Sequence, residues 1–153
     1  MTVPVGSGGT STITFSSIPS TYKHLQIRGL VKFGAVSYGN IRFNGDTTAA
    51  NYRSHGLFGN GSTASANTAA NAAYSPFDGS TQWGGFVLDI LDYADTNKYT
   101  TTRELGGWDN NGSGLSYLSS NLWMSTSAVN QIVFTTPSAF QEYSSFALYG
   151  IKG

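Results

Sequence analysis

The feature that most constrains the fold is a two-residue alternation of apolar and polar side chains. In YKHLQIRGLVKF, residues 22–33, every second position falls on one face, which carries Leu25, Ile27, Gly29, Val31 and Phe33. The opposite face is mostly polar. Because successive side chains of a strand point to opposite sides of a sheet, this pattern predicts a strand with one buried face.

Similar alternation recurs along the chain, in STITF (11–15), NIRFNGD (40–46), FVLDILDY (86–93), KYTTTREL (98–105), LSYLSSNLWM (115–124), VNQIVFTT (129–136) and SSFALYGIK (144–152). Turn signals separate these segments by roughly 8–12 residues, a spacing typical of sandwiches and barrels. We therefore predict an all-β, single-domain β-sandwich, with a jelly roll of about eight strands as the best fit. An immunoglobulin-like sandwich is the alternative.

Two segments lack the alternation. GNGSTASANTAANAAYSP, residues 59–76, is small and polar, so we predict a long surface loop around residues 59–80, with a short helical turn through its alanines. The N-terminal residues 1–11 predict an extended arm, of a kind that orders on a neighbouring subunit. Residues 12–153 then form the single sandwich domain.

The charge content excludes several classes of partner. Charged residues make up 10% of the chain, and eight basic and eight acidic side chains give a net charge of zero. No basic patch is present, so nucleic acid is not an expected partner. Near-zero net charge favours association, and we predict a homo-oligomer. The N-terminus does not resemble a signal peptide, no apolar run is long enough for a transmembrane helix, and we expect no membrane partner.

No catalytic or metal-binding pattern stands out. The chain has no Cys and two His, His24 and His55, and it lacks the nucleophile elbow of hydrolases. Asp89 and Asp92 point to opposite faces of a strand. The DNNGSG segment, 109–114, resembles a calcium loop only faintly, and we predict a turn with positive φ at Gly112. We predict a protein that is not an enzyme, without catalytic residues, bound metal or cofactor.

Aromatic side chains beside turns are the candidate binding residues. Trp123 is predicted to lie in the core. Trp83 and Trp108 lie in glycine-rich context, where each could cap the sandwich, anchor a protein interface or stack on a sugar. The full set of candidate interface or glycan contacts is Trp83, Trp108, Tyr93, Asn110, Asn111 and Arg103.

Five segments carry a resemblance that covers most of the chain, from about residue 11 to 153: 12–31, 45–61, 87–114, 122–136 and 142–153. The most specific pieces are YKHLQIRG (22–29), DILDYADTNKY (89–99) and FALYGIK (146–152). Together they resemble small virion proteins and tail-associated domains of tailed bacteriophages, including cyanophages and marine phages. The resemblance is one of overall pattern and contains no catalytic signature.

The resemblance implies a structural, oligomeric component of a phage particle. Our first expectation is a capsid cement or decoration protein, a homotrimer on the outer surface of the head that contacts the major capsid protein and bridges capsomers. The absence of a fibre stem in the sequence favours the head. The alternative is a tail-fibre or receptor-binding tip component that contacts tail proteins and host surface glycans.

Overall fold

The computed structural model describes residues 1–70 and 81–153, and the backbone of residues 74–79. The described part contains a short 3₁₀ turn at Ala49–Asn51 and no helix that could cross a membrane. Its strands are β1 (Thr2–Pro4), β2 (Thr10–Phe15), β3 (His24–Val31), β4 (Ser37–Phe43), β5 (Tyr52–Gly59), β6 (Ala64–Ala69), β7 (Tyr74–Gly79), β8 (Gly84–Leu91), β9 (Thr100–Asn110), β10 (Ser113–Trp123), β11 (Ile132–Phe140) and β12 (Ser145–Ile151).

The strands form two sheets that pack as a sandwich. One sheet has eight strands in the order β1-β12-β3-β8-β9-β10-β5-β6, and the other has four in the order β2-β11-β4-β7. Eight of these strands, β2–β8 and β11, follow the order of a jelly roll. The β9–β10 hairpin is inserted between β8 and β5, and β1 and β12 extend one edge. The predicted β-sandwich is confirmed, with four more strands than expected in the described residues.

Alternation places the core where the sequence predicted it. Leu25, Ile27, Val31 and Phe33 are at most 5% exposed, and the apolar positions of β4 and β8 are buried in the same way. At the centre, the ring centroids of Phe140 and Phe146 lie 5.0 Å apart in an edge-on contact. Such aromatic pairs stabilise a core beyond the area that they bury.

A partly buried hydrogen-bond network closes one end of the sandwich. The Asp46 carboxylate accepts hydrogen bonds from the Trp123 indole at 2.7 Å, the Asn51 amide at 2.8 Å and the Thr48 backbone N–H at 2.8 Å. Burial raises the pKa of Asp46, but these hydrogen bonds outweigh it and lower the pKa to about 2. Trp123 is 3% exposed, which confirms its predicted core position.

The N-terminal segment is part of the sandwich. Strand β1 pairs with β12 of the same chain, and the Leu148 backbone N–H donates to the Met1 carbonyl at 2.7 Å. Val5 is 5% exposed, and its N–H donates to the Ser144 carbonyl at 2.8 Å. The prediction of an arm over residues 1–11 that orders on a neighbouring subunit is therefore wrong. A buried valine and a paired strand edge hold the segment on its own domain.

The predicted loop around residues 59–80 contains strands β6 and β7. Strand β6 pairs with β5, with Ala66 opposite Leu57, and β7 pairs with β4. The prediction of one long loop is therefore wrong. The sequence did not reveal β6 because this strand has no large apolar side chain that would show its alternation. The predicted helical turn through the alanines falls partly on residues 71–73, which lie outside the described residues, as does residue 80.

Turn geometry agrees with the sequence at one hairpin, and a second turn follows β8. Gly112 has φ +106°, as predicted for the turn between β9 and β10. After β8, Asp92 takes the left-handed conformation with φ 46°, and the Asp95 backbone N–H donates to the Asp92 carbonyl at 2.9 Å. The left-handed residue of this turn is thus Asp92, a residue type that tolerates this conformation.

Candidate functional site

The inserted hairpin buries polar side chains and exposes leucines. On its inner face, Thr102, Glu104, Ser119 and Asn121 are at most 3% exposed. On its outer face, which is turned away from the four-stranded sheet, Leu105 is 61% exposed and Leu118 is 51% exposed. A shift of one residue in register would reverse both faces. Burial of leucine in place of Ser or Thr would also be favourable. The observed register buries Tyr117 and Trp123 on the inner face of β10 and leaves the leucines exposed on the outer face.

The buried polar side chains of the hairpin bind one another. The Ser119 hydroxyl donates to Glu104 Oε2 at 3.0 Å, and the Asn121 amide donates to Thr102 Oγ1 at 3.1 Å. Glu104 Oε1 and Asn121 Oδ1 have no hydrogen-bond partner among the described residues. Burial raises the pKa of Glu104 well above its ordinary value, although hydrogen bonds from Ser119 and Asn121 act in the opposite direction. Burial therefore favours the protonated, neutral form of this side chain.

The protonation state of Glu104 leads to a prediction about stability. The unfolded chain loses this proton near pH 4.5, the ordinary value for Glu, whereas the folded chain retains it. Stability contributed by the neutral acid is full below pH 4.5 and is lost as pH rises through the folded pKa. Glu104→Gln should remove this loss. We expect the variant to be more stable than wild type at pH 8 by about 1 kcal/mol or more, or at least about 2 °C in Tm.

Thermal unfolding of wild type and Glu104→Gln at pH 4.5 and pH 8 measures this difference. Glu142→Gln is the matched control, because Glu142 is exposed and its neutralisation should leave the pH profile unchanged. Both pH values lie above the range in which Asp46 titrates, so its lowered pKa does not affect the comparison. If wild type and Glu104→Gln lose the same amount of stability from pH 4.5 to pH 8, then Glu104 is not the group that causes the loss.

The exposed leucines form a continuous row across three strands. Leu118 lies directly opposite Leu57 of β5 and Leu105 of β9. Side chains directly opposite on one sheet face have Cβ atoms about 4.5–5.5 Å apart, so Leu118 lies against both Leu57 and Leu105. We name Leu57, Leu105 and Leu118 the leucine patch. Grouped exposed apolar side chains of this kind mark interaction sites on soluble proteins.

Two shallow depressions border the leucine patch. One, of about 380 Å³, lies on the side of His55, Thr68, Arg103 and Ser120. The other, of about 250 Å³, lies on the side of Gly59, Ala64 and Ser116. Arg103, a candidate from the sequence, is exposed beside Leu105 and belongs to the rim of this face. Its neighbour Glu104 points inward, as predicted for adjacent residues of a strand.

A third depression lies at the end of the β9–β10 hairpin. It has a volume of about 250 Å³ and is mostly polar. We name it the hairpin notch; its principal lining residues are Asn60, Gly61, Trp108, Asp109, Ser113 and Ser116. Trp108 is half-buried, and its indole Nε1 has no hydrogen-bond partner among the described residues. The notch thus combines an aromatic wall with amide, carboxylate and hydroxyl groups.

The other sequence candidates do not gather at one site. Asn110 and Asn111 form the hairpin turn beside the notch, where Asn111 has φ 38°, and neither lines it. Trp83 is 41% exposed and precedes Gly84, which lies opposite Trp108. Asn110, Asn111 and Trp83 therefore lie near the notch but outside it.

Tyr93 is a core residue. It is fully buried, and its hydroxyl donates to the Pro19 carbonyl and accepts a hydrogen bond from the Tyr22 backbone N–H at 3.4 Å. A buried side chain with these partners cannot contact a glycan or a protein partner on the surface. The prediction that Tyr93 is a binding residue is therefore wrong. The sequence placed it at the end of the strand segment 86–93, beside a turn. In the structure it lies in the turn after β8, which folds inward over the end of the sandwich.

Charged groups cluster around the turn after β8. The Lys23 ammonium lies 2.8 Å from Asp92, and Lys98 also pairs with the Asp92 carboxylate. The hydrogen bonds from Lys23 and Lys98 hold the pKa of Asp92 at about 2. His24 Nδ1 accepts a hydrogen bond from the Asp92 backbone N–H at 3.0 Å, so this histidine is part of the same cluster. Among the described residues, no group of three or more His, Asp and Glu side chains is placed to hold a metal ion.

No family model and no curated protein matches the chain. Among solved structures, it is similar to the galectin LEC-6 of Caenorhabditis elegans, at 10% identity and TM-score 0.44 over 97% of this chain and 95% of that one. A double mutant of congerin II has 14% identity and TM-score 0.40 over 90% of this chain and 99% of that one.

Alginate lyase Aly36B, solved as a mutant with an alginate tetrasaccharide, has 10% identity and TM-score 0.35 over 99% of this chain and 82% of that one. At these identities the likeness concerns the fold and not the activity. The chain is an all-β sandwich of the jelly-roll type.

Proposed function

We propose that this chain is a structural protein of a tailed-phage particle, a decoration protein that binds the outer surface of the head and cements neighbouring capsid subunits. The phage role rests on the resemblance over residues 11–153. The leucine patch is the single structural observation that carries the proposal. It gives the protein a face that can bury apolar surface against a partner, which is what a cement protein requires.

The inverted pattern of the hairpin strengthens the argument from the leucine patch. The register of β10 buries Tyr117 and Trp123 and leaves Leu118 exposed, with Leu105 opposite it. The hairpin also buries a carboxyl group and an amide with unpaired oxygens, which lowers its stability. A partner that covers the leucines would offset that loss in the assembled state.

The edge next to the leucine patch supports an oligomer. Strand β6, Ala64–Ala69, is the last strand of the eight-stranded sheet and has no charged residue and no proline. Open edges without such protection are ready to pair with another strand. Together with zero net charge, this edge supports self-association. We propose a homo-oligomer, with a trimer as the arrangement that matches three-fold positions between capsid subunits.

Immunogold electron microscopy of intact particles tests the proposal. An antibody against this chain is applied to purified phage, and particles lacking the chain serve as the control for background label. We expect gold particles spread over the head. Label confined to the tail would overturn the decoration role in favour of a tail-fibre or receptor-binding component. Absence of label from the particle would reject a virion role on the surface.

A further inference from the structure

We propose that the hairpin notch is a carbohydrate site that takes a single neutral sugar ring. The inference does not depend on where the chain sits on a particle, because Trp108, Asp109 and Asn60, on which it rests, do not belong to the leucine patch. The notch contains Trp108 beside polar groups that can both donate and accept hydrogen bonds, and it carries little charge. These are the features that a pyranose recognises.

The unequal length of neighbouring strands creates the notch. The pairing of β10 with β5 ends where Ser116 lies opposite Gly59, whereas the pairing of β10 with β9 continues to Ser113 opposite Asn110. Over Ser113–Leu115, one edge of β10 therefore has no neighbouring strand. Its backbone N–H and C=O groups on that edge are open to a ligand, because unpaired strand edges offer hydrogen bonds.

The turn after β5 forms the opposite wall and is held in shape. Asn60 Oδ1 accepts hydrogen bonds from the backbone N–H groups of Ser62 at 3.0 Å and Thr63 at 2.8 Å. The side-chain NH₂ of Asn60 has no acceptor among the described residues, so it is an available donor at a fixed position. A fixed donor reduces the ordering cost of binding a small ligand.

Glycines keep the notch open. Gly61 has φ +87° and Gly112 has φ +106°, a backbone region that favours glycine. A Cβ placed on either residue would meet no atom within 4 Å, so a side chain there would project into free space beside the notch. Both glycines fit their turns and leave room for a ligand.

Trp108 supplies the apolar surface. A tryptophan ring is large and rigid, and its indole N–H is a hydrogen-bond donor. Buried polar groups without a partner are uncommon in folded proteins. The indole Nε1 of Trp108 is such a group among the described residues. This N–H is buried, so a ligand in the notch contacts the half-buried ring and takes its hydrogen bonds from the other lining groups.

The composition of the lining selects the chemical class of ligand. Asp109 is the one charged residue among those that line the notch. The notch therefore lacks the positive charges that bind a phosphate and the set of charged oxygen ligands that binds a metal ion. The Asp109 carboxylate accepts hydrogen bonds, the Asn60 amide donates them, and the hydroxyls of Ser113 and Ser116 do both. The volume of about 250 Å³ is just below that of drug-sized pockets, and it fits one ring better than an oligosaccharide.

Saturation-transfer NMR with four methyl glycosides tests the site: those of glucose, galactose, mannose and N-acetylglucosamine, each titrated to high millimolar concentration on the full chain. We expect at least one to bind with millimolar Kd. Trp108→Ala should weaken that binding at least about tenfold, since aromatic stacking is lost. Asn60→Ala should weaken it several-fold.

Trp83→Ala is the matched control, because Trp83 is exposed outside the notch, and its loss should leave Kd unchanged. If Trp108→Ala unfolds, Asp109→Ala replaces it, since Asp109 is exposed and its removal should also weaken binding several-fold. The proposal is overturned if none of the four glycosides shows saturation transfer, or if Trp108→Ala or Asp109→Ala folds and binds like wild type. Leu118→Glu, which changes the leucine patch and not the notch, should leave sugar binding intact. Rejection of the sugar site is therefore separable from rejection of the decoration role.

Discussion

Replacement of Leu118 by glutamate is expected to reduce binding of this chain to its particle by about 100-fold or more, the effect of losing a central interface residue. Leu118 lies between Leu57 and Leu105, so a carboxylate there would be buried in the middle of the docked leucine patch. An unpaired charge in an apolar interface is strongly unfavourable. The isolated domain should keep its stability, because the Leu118 side chain is half exposed to solvent.

Leu30→Glu is the matched control for Leu118→Glu. Leu30 is 50% exposed, against 51% for Leu118, and it lies on the outer face of the same sheet in β3, away from the leucine patch. Each variant is added to particles assembled without the chain, and the bound fraction is measured by co-sedimentation. We expect Leu30→Glu to bind like wild type. Equal binding by folded Leu118→Glu and wild type would show that the leucine patch is not the docking surface.

Oligomeric state can be read from the same pair of variants. If copies of the chain associate through the leucine patch, Leu118→Glu should elute as a smaller species than wild type in size-exclusion chromatography with light scattering. If they associate through the β6 edge, Leu118→Glu should retain the wild-type mass while losing its particle. The two results separate contact with the capsid from contact between copies.

The parts of the fold that the sequence predicted are those in which one face is uniformly apolar. In β3, in β8 and at the end of β4, large apolar residues alternate with polar ones, and the packing of the two sheets against each other buries them together. A hydrophobic face can be placed only one way in a two-layer sandwich, because a shift of one residue would expose all of it. Local pattern and tertiary packing therefore agree in these strands.

The inward and outward faces of the β9–β10 hairpin could not be predicted from alternation in this way. Its Ser, Thr and Asn positions are consistent with either face, and Leu105 and Leu118 would have been assigned to the core by hydrophobicity alone. Their outward placement depends on the register with β8 and β5, which is set by contacts distant in sequence. The leucine patch was missed for this reason. The only local signal of the patch was a leucine at a position where the alternation of the strand predicts a polar residue.

The candidate site was predicted in part. Trp108 and the glycine-rich hairpin were identified because an aromatic residue beside turn formers is unusual. Asn60 and Ser116, which complete the notch, are distant in sequence and ordinary in type. Tyr93 looked similar to Trp108 in sequence, since each lies close to a turn. Only the three-dimensional path of the chain distinguishes the buried phenol from the half-buried indole.

Deletion of residues 1–5 is expected to lower the free energy of unfolding by about 3–5 kcal/mol. Burial of Val5 contributes about 1.5–3 kcal/mol, and each lost backbone hydrogen bond between this segment and β12 adds about 0.5–1.5 kcal/mol. For a domain of this size the corresponding decrease in Tm is about 10 °C. Thermal and urea unfolding of the purified deletion variant measure both quantities.

Val5→Ala and Val36→Ala separate the contribution of the buried side chain from that of the backbone. Val5 is 5% exposed and Val36 is 81% exposed, so the first change should account for part of the loss and the second for none beyond about 0.5 kcal/mol. A deletion variant with unchanged stability and lost particle binding would mean that residues 1–5 act on a neighbouring subunit after all. Lower stability together with retained binding would show that the segment belongs to its own domain, because the paired edge of β12 and the buried Val5 serve folding rather than assembly.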